Sequence, residues 1–447
     1  MENKRKKHKM NAVRILALGF LGVIFIGGTL LSLPISSVSG EFTNFLDSLF
    51  TSTSAVCVTG LVTLDTGTHW NVFGQVMIML LIEIGGLGFM SIATFAAILF
   101  GKKITLRERL VMQESMNAFN IQGLVKMVKY VVGFTFSIQF IGAVILSTQF
   151  IPEHGIGKGV FFSVFNSVSA FCNAGFDLNG NFVSLVPYAG NWVVLLTIGA
   201  LIIVGGIGFA VLLELYNYRK IKRISTHTKL VLLVTTILIF GGALVMFLLE
   251  YKNPNTLGNM GIGDKIVNSF FAAVTPRTAG FNSIPTDKLT TAGTFTTIIL
   301  MFIGGSPGST AGGIKTTTIG IIIVTVICII RGREDTEAFG RRFSKELVYK
   351  AFALLMIGVS LVMFVTMVLS ITETGKSFLF LLFEATSAFG TVGLKTGITP
   401  GLSSIGKIII MMTMYCGRVG TLTVLLALAH NKKRSGYKYP EGKILIG

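Results

Sequence analysis

Charge is scarce in this sequence: only 13% of its 447 residues are Asp, Glu, Lys or Arg, against 51% hydrophobic residues. A water-facing globule of this length needs a polar surface, and so little charge cannot supply one. Cysteine is scarcer still. Cys57, Cys172, Cys328 and Cys416 stand far apart with no CxxC spacing, which supports neither a zinc site nor a disulfide framework. The histidines His8, His69, His154, His227 and His430 are scattered and form no HExxH or triad-like group. No Gly-x-Gly-x-x-Gly fingerprint and no strand-rich segment appear, so no bound cofactor is expected and any nucleotide control has to come from another chain. Glu83 and Glu214 lie near apolar segments without a His or Asp beside them, which argues against a membrane-embedded enzyme.

What the sequence does have is long apolar runs. They fall near 12–33, 70–100, 124–151, 190–216, 229–250, 293–330, 346–371 and 404–430, and the mean hydropathy is +0.74. An uncharged run of about 18 or more residues spans the hydrocarbon core as a helix, so the expectation is an all-α membrane protein with eight membrane helices. The first run is too long for a signal-peptide core and lacks a small-residue cleavage site, and is expected to be retained. The net charge of +18 is concentrated at Lys4-Arg5-Lys6-Lys7 and within 101–109, 219–223, 331–345 and 432–434. Asp47, Asp65, Glu153, Asp177, Asp264, Asp287 and Glu373 occupy the other set of connections. That alternation is the positive-inside pattern, with both termini cytoplasmic. The basic runs orient the chain and can touch anionic lipid headgroups; nucleic acid is not the expected partner.

Between paired long runs lie apolar segments too short to cross, near 42–56, 159–171, 265–275 and 378–389. Each leads into a glycine string: Val58-Thr59-Gly60-Leu61, Asn173-Ala174-Gly175-Phe176, Thr278-Ala279-Gly280-Phe281 and Thr391-Val392-Gly393-Leu394. Ser54-Ala55, Ser169-Ala170 and Ser387-Ala388 precede three of these glycines at one offset, where the third copy has Val274-Thr275. A second motif follows, Ile84-Gly85-Gly86-Leu87-Gly88-Phe89 and Val204-Gly205-Gly206-Ile207-Gly208-Phe209, with Ile303-Gly304-Gly305-Ser306-Pro307 and Cys416-Gly417-Arg418-Val419-Gly420 as its later copies. Two motifs recurring in one order, four times, define four internal repeats. The resulting division is a basic N-terminus at 1–11, repeats at 12–121, 122–224, 225–342 and 343–430, and a cytoplasmic tail at 431–447.

Non-helical backbone at membrane depth is tolerated only where protein buries it or water lines it. Four such segments fit best around one axis, where they present a ring of carbonyls that replaces the water shell of a cation. Glycine lets each carbonyl turn inward without a blocking side chain. The short helices aim their partially negative C-terminal ends at the pore, and Asp47, Asp177 and other outer acids raise the local cation concentration. The Gly85-Gly86 and Gly205-Gly206 pairs, lying inside long runs, are read as helix-packing positions. A substrate-coupled secondary transporter would show inverted repeats, whereas here one order recurs four times.

The third repeat carries an interruption. Residues 304–316 place Pro307 and five glycines, Gly304, Gly305, Gly308, Gly312 and Gly313, inside a run that should cross the membrane. Gly and Pro disfavour helix, and Ser306, Ser309, Thr310 and Thr316 offer the backbone other partners. A broken helix with an intramembrane loop is expected. The stretch from Gly308 to Thr316 differs in spacing from a phosphate-binding loop and no strand precedes it, so ATP binding there is rejected.

The four filter strings and the run from Gly304 through Lys315-Thr316 resemble the Trk/Ktr/HKT superfamily of potassium transporters, and most closely the membrane subunit of a bacterial Ktr system. The resemblance covers nearly the whole chain. It implies potassium uptake across the cell membrane, stimulated by sodium in some members, through a homodimer docked on a cytosolic nucleotide-binding ring. It also implies that the 304–316 loop is the gate. In plant relatives a serine at the first filter glycine goes with sodium preference; Gly60 and its three counterparts point to potassium, with a sodium-permeable transporter of the same superfamily as the alternative.

Arg418 replaces a glycine of the first two repeats within an apolar run. A buried arginine costs roughly 2.5–3.5 kcal/mol on insertion scales, and this one lies about a dozen positions from the expected helix end, too deep to snorkel. It is expected to donate to carbonyls of the 304–316 loop and hold the closed gate. Lys315 ranks below it, with the cytoplasmic side of the cavity as its destination. Arg277 replaces Cys57 and Cys172 at its offset and is expected to point behind the filter towards Glu384. Residues 101–121, 217–228 and 331–345 are the expected docking surfaces for a regulatory partner. The tail at 437–447 is either a frayed terminus or a strap at a dimer interface.

Overall fold

A computed structural model describes residues 12–99, 104–115 and 123–420. The Lys4–Lys7 run and the tail at 431–447, with its strap reading, lie outside the described residues. The first repeat contains α1 (Ala12–Ser32), α2 (Phe45–Cys57), α3 (Val72–Leu87), α4 (Phe89–Leu99) and α5 (Leu106–Ser115). The second contains α6 (Leu124–His154), α7 (Ile156–Cys172), α8 (Trp192–Ile207) and α9 (Phe209–Ile221). The third contains α10 (Thr226–Glu250), α11 (Ile262–Val274), α12 (Thr291–Phe302) and α13 (Thr316–Ile330). The two-residue strands β1 (Glu337–Ala338) and β2 (Arg341–Arg342) form an antiparallel hairpin before α14 (Lys345–Thr372), α15 (Phe378–Gly390) and α16 (Ser404–Val419) of the fourth. The class is mainly helical, as expected.

Among the described residues, four helices are long and apolar enough to cross a membrane unbroken: Arg14–Ser32, Leu124–His154, Thr226–Glu250 and Lys345–Thr372. These are the first helices of the repeats. They leave Phe136, Phe140 and Val144 of α6, Ile237, Phe240 and Leu244 of α10, and Met356, Met363 and Phe364 of α14 exposed, an apolar perimeter suited to lipid.

The second member of each pair departs from a plain helix: the third is broken as expected, and the first and second are broken as well. The α3–α4 run is interrupted at Gly88, and α8 and α9 meet at Gly208 with a bend of 96°. The α12–α13 run is interrupted by residues 303–315, and α16 ends at Val419. The cause is local. Gly88, Gly208 and Gly420 have φ of 79°, 104° and 93°, a region that ends a right-handed helix and that side chains other than glycine's resist. Pro307 stands at the corresponding place in the third repeat. Gly85, Gly205 and Gly417 do serve packing: a Cβ on each would run into the carbonyl oxygen of Val56, Phe171 or Phe389, at the end of the short helix of its own repeat.

Each second helix starts at a side-chain cap. Asn71, Asn191, Thr290 and Ser403 accept from the backbone N–H of Gly74, Val194, Gly293 and Gly406 at 3.0–3.2 Å, which satisfies an otherwise orphaned donor. The preceding first helix is tied to that cap. Glu250 accepts from Thr290 Oγ1 at 2.7 Å, Glu373 from Ser403 Oγ at 2.6 Å, and Asn191 Nδ2 donates to Gln149 at 3.0 Å. Between repeats, α3 packs on α7, α8 on α11, α12 on α15, and α16 on α2. That sequence of contacts closes on itself, so the four repeats form a ring.

Candidate functional site

The short helices α2, α7 and α15 end in the same way. The next residue, Val58, Asn173 or Thr391, takes a left-handed conformation with φ of 57°, 61° and 51°. The residue after it folds back: Thr59, Ala174 and Val392 each donate their N–H to Ser54, Ser169 or Ser387 at 2.8 Å. These are helix C-terminal closures that satisfy the last carbonyls. The serine hydroxyls then brace the following strand. Gly60 and Gly393 donate to Ser54 Oγ and Ser387 Oγ at 3.0 and 3.1 Å, while Ser169 and Ser387 donate to the carbonyls of Phe176 and Leu394 at 2.7 Å.

The third repeat departs from this pattern and compensates. α11 stops at Val274, and the Thr275 hydroxyl, one position later than the serines, donates to the Phe281 carbonyl at 2.5 Å. Thr278 still reaches φ 73°. The Val274-Thr275 exception in the sequence is therefore a shifted brace.

The four glycines meet. A Cβ added to Gly60 would strike the Ala174 carbonyl oxygen; one on Gly175 would meet that of Ala279, one on Gly280 that of Val392, and one on Gly393 that of Thr59. Each therefore lies against the next repeat's segment, in the order one, two, three, four, one. Their φ values are 89°, 68°, 81° and 92°, so both backbone conformation and space require glycine. Asn173 Nδ2 ties segments two and three laterally, donating to the Arg277 carbonyl and Thr278 Oγ1 at 3.3 Å. Chemically, carbonyls crowded around one axis at the C-terminal ends of four short helices can stand in for a cation's hydration shell.

The interrupted segment lies against the same elements. Its ends pair with each other: Ile303 bridges Ile314, Gly304 N–H donates to the Ile314 carbonyl at 2.8 Å, and Ser306 and Thr316 hydroxyls share a hydrogen bond of 3.0 Å. The loop between them is fastened to repeat two, with Ser306 N–H on the Gly206 carbonyl at 2.9 Å, Phe209 N–H on the Gly308 carbonyl at 2.9 Å, and Thr310 Oγ1 on the Gly205 carbonyl at 3.1 Å. Ser309 Oγ closes the turn on the Ser306 carbonyl at 2.6 Å, and Pro307 sits within it. Gly312 and Gly313 lie against Thr391 and Gly390 of repeat four.

Arg418 does reach this loop. Its guanidinium donates to the Thr310 carbonyl and to the Gly85 and Gly86 carbonyls, the latter two at 2.5 and 3.2 Å. One side chain thus joins repeats one, three and four. It lies in the last turn of α16, which stops at Val419, where Gly420 takes a positive φ; the rest of the expected run lies outside the described residues.

Lys315 folds onto the loop itself, Nζ donating to the Ala311 carbonyl at 2.6 Å. Two other expectations change. Arg277 does not pair with Glu384: its Nη2 contacts Thr235 Oγ1 of α10 at 3.4 Å, while Glu384 accepts from Thr399 Oγ1 at 2.5 Å. The reason is direction, since Arg277 turns outwards to the first helix of its own repeat. Asp47 is not free at the outer mouth either, because Lys407 of α16 holds it at 2.6 Å.

Residues that sequence reasoning passed over include Gly88, Gly208 and Gly420, whose signal was the repeated last glycine of the second motif. Lys395 is another: it stands two residues past Gly393, as Asp177 does past Gly175, and that spacing was readable.

Comparisons with known proteins agree with this geometry. The model of the family TrkH, cation transport protein, matches residues 5–436. The chain is 46% identical to the potassium/sodium uptake protein NtpJ of Enterococcus hirae, covering 99% of each. It is 44% identical to the Ktr system potassium uptake protein B of Bacillus subtilis, over 97% of this chain and 96% of that one. The crystal structure of the potassium transporter TrkH from Vibrio parahaemolyticus superposes with a TM-score of 0.74 at 16% identity, covering 96% of this chain and 87% of that one.

Proposed function

We propose, since the chain belongs to the TrkH family of cation transport proteins, that it takes up potassium across the cell membrane through a filter made by Val58–Gly60, Asn173–Gly175, Thr278–Gly280 and Thr391–Gly393. The single observation carrying this is the closed contact ring of Gly60, Gly175, Gly280 and Gly393. Carbonyls of Thr59, Ala174, Ala279 and Val392 coordinate the dehydrated ion, and the helix ends stabilise its charge.

The 304–316 loop with Arg418 and Lys315 is the gate. Support comes from the loop's bonds to repeat two and from the Arg418 bonds that join three repeats. The transporter works as a homodimer on a cytosolic nucleotide-binding ring, with both termini cytoplasmic and lipid around the apolar perimeter. A Ktr system relative at 44% identity supports the assembly, and the exposed hairpin at 337–342 with its neighbouring basic residues offers a docking surface. Sodium acts as a stimulator.

The second reading is sodium permeation, favoured by the likeness to the potassium/sodium uptake protein of Enterococcus hirae. Rubidium uptake into proteoliposomes holding the purified chain tests both. Competition by potassium and not by sodium is the expected result. Competition by sodium at similar concentration moves the reading to a sodium-permeable transporter, and absence of flux even with the cytosolic ring added contradicts the pore.

A further inference from the structure

The outer mouth contains a cation belonging to the protein. Lys395 leaves the fourth filter segment two residues after Gly393, and its carbonyl accepts from Thr286 of repeat three at 2.5 Å. Its side chain reaches the diagonally opposite repeat: Nζ stands 4.4 Å from the centroid of the Phe182 ring. Repeats two and four are never neighbours in the ring of glycine contacts, so a side chain joining them extends over the mouth.

The surface beneath the ammonium is built. Phe182 donates its N–H to Asp65 of repeat one at 2.6 Å, and Leu185 donates to the Asn282 carbonyl of repeat three at 3.0 Å. Asn282 N–H in turn donates to Ser184 Oγ at 3.2 Å. The loop holding Phe182 is therefore fastened on both sides, and Asn181, Phe182 and Ser184 are held at φ of 51°, 57° and 52°, a strained backbone for residues other than glycine. Asp65, Asp177 and Glu384 are the charged groups that act on Lys395, while Asp287 and Lys288 of the repeat-three turn face solvent. Among the described residues no carboxylate oxygen lies within 4 Å of its ammonium. Lys395 is thus attracted by several acids without being locked to one, in the place where a permeating cation is concentrated.

We propose that Lys395 is a built-in competitor for the outer cation site, so that a potassium ion reaching the filter must first displace its ammonium from its place over the Phe182 ring. The proposal rests on the pore reading above. It makes Lys395 a determinant of apparent affinity and assigns the filter itself no change.

The test is external rubidium uptake by the full chain, with its cytosolic ring if flux requires it, comparing wild type with Lys395→Met, Lys395→Gln and Lys395→Arg. Both neutral variants should lower KM by roughly three- to tenfold, since a positive charge leaves a field that concentrates cations, while Arg should keep KM near wild type. Asp177→Asn should raise KM, and pairing it with Lys395→Gln should bring KM back towards wild type. KM unchanged or raised in the neutral variants overturns the proposal while leaving the pore intact. Absence of rubidium flux in the wild type would strike the pore reading instead. If Met does not yield folded protein by size-exclusion chromatography, Gln decides; if neither folds, the Asp177→Asn shift in KM decides, and an unchanged value counts against the proposal.

Discussion

At the residue scale the decisive features are those where a side chain has no room. A Cβ on Gly60 would run into the Ala174 carbonyl oxygen and come within 3.1 Å of Gly175 Cα. Gly60→Ser has to push that carbonyl aside in an unfavourable backbone conformation. Rubidium uptake relative to sodium should fall by at least about tenfold, which corresponds to ~1.4 kcal/mol of site energy, measured by isotope uptake under matched gradients. Arg418→Ala removes the donors to Thr310, Gly85 and Gly86 together, and basal rubidium flux should rise several-fold if those bonds hold the loop closed. Flux and regulation like wild type would remove Arg418 from the gate.

A third residue-scale prediction concerns pH. Burial pushes the Asp177 carboxyl up to about 6, with Lys395 opposing the rise. As external pH falls through that value Asp177 gains a proton and loses its charge, so the mouth attracts cations less. KM for rubidium should rise between pH 7 and 5, and Asp177→Asn should flatten that dependence. Why Arg277 contacts Thr235 was not readable from its surroundings in the chain, because the partner is set by the rotation of α10, some forty positions away. The position of Lys395, two past its filter glycine, was readable, but its contact with Phe182 of the opposite repeat was not.

At the element scale, the repeat order was legible because both motifs put glycine where backbone geometry demands it. The filter strings kept their register even in repeat three, where Thr275 does the work of the missing serine one position later. The helix interruptions at Gly88 and Gly208 were hidden by hydrophobicity. Both flanks are apolar enough to continue a span, and a single positive φ decides otherwise. The caps of the second helices were also missed, since Asn71, Asn191, Thr290 and Ser403 differ in type though not in role. Thr290→Ala removes a cap and a donor to Glu250, and should cost about 1 kcal/mol. A lower thermal midpoint in detergent with the filter variants' selectivity unaffected would show it. An unchanged midpoint would mean that the cap is dispensable in the packed ring.

At the scale of the whole molecule, four segments of differing sequence close into one ring because each second helix packs on the next repeat's short helix, and the last returns to the first. This arrangement brings one glycine segment from each repeat to a shared ring, so the proposed filter draws on all four. One loop in repeat three also touches all the others: it bonds to repeat two, lies against repeat four and meets repeat one through Arg418. Family membership and a cation transport role follow from the comparisons, and the exposed apolar faces of α6, α10 and α14 agree with a protein that lives in lipid.

The ring of Gly60, Gly175, Gly280 and Gly393 is proposed as the place where the ion loses its water. Crystals of the full chain grown in rubidium, with data collected at the rubidium absorption edge, test it most directly. An anomalous peak is expected on the ring axis, bounded by the carbonyls of Thr59, Ala174, Ala279 and Val392, and it should be lost when potassium replaces rubidium. A ring without a peak, with ordered rubidium elsewhere in the membrane region, would contradict it.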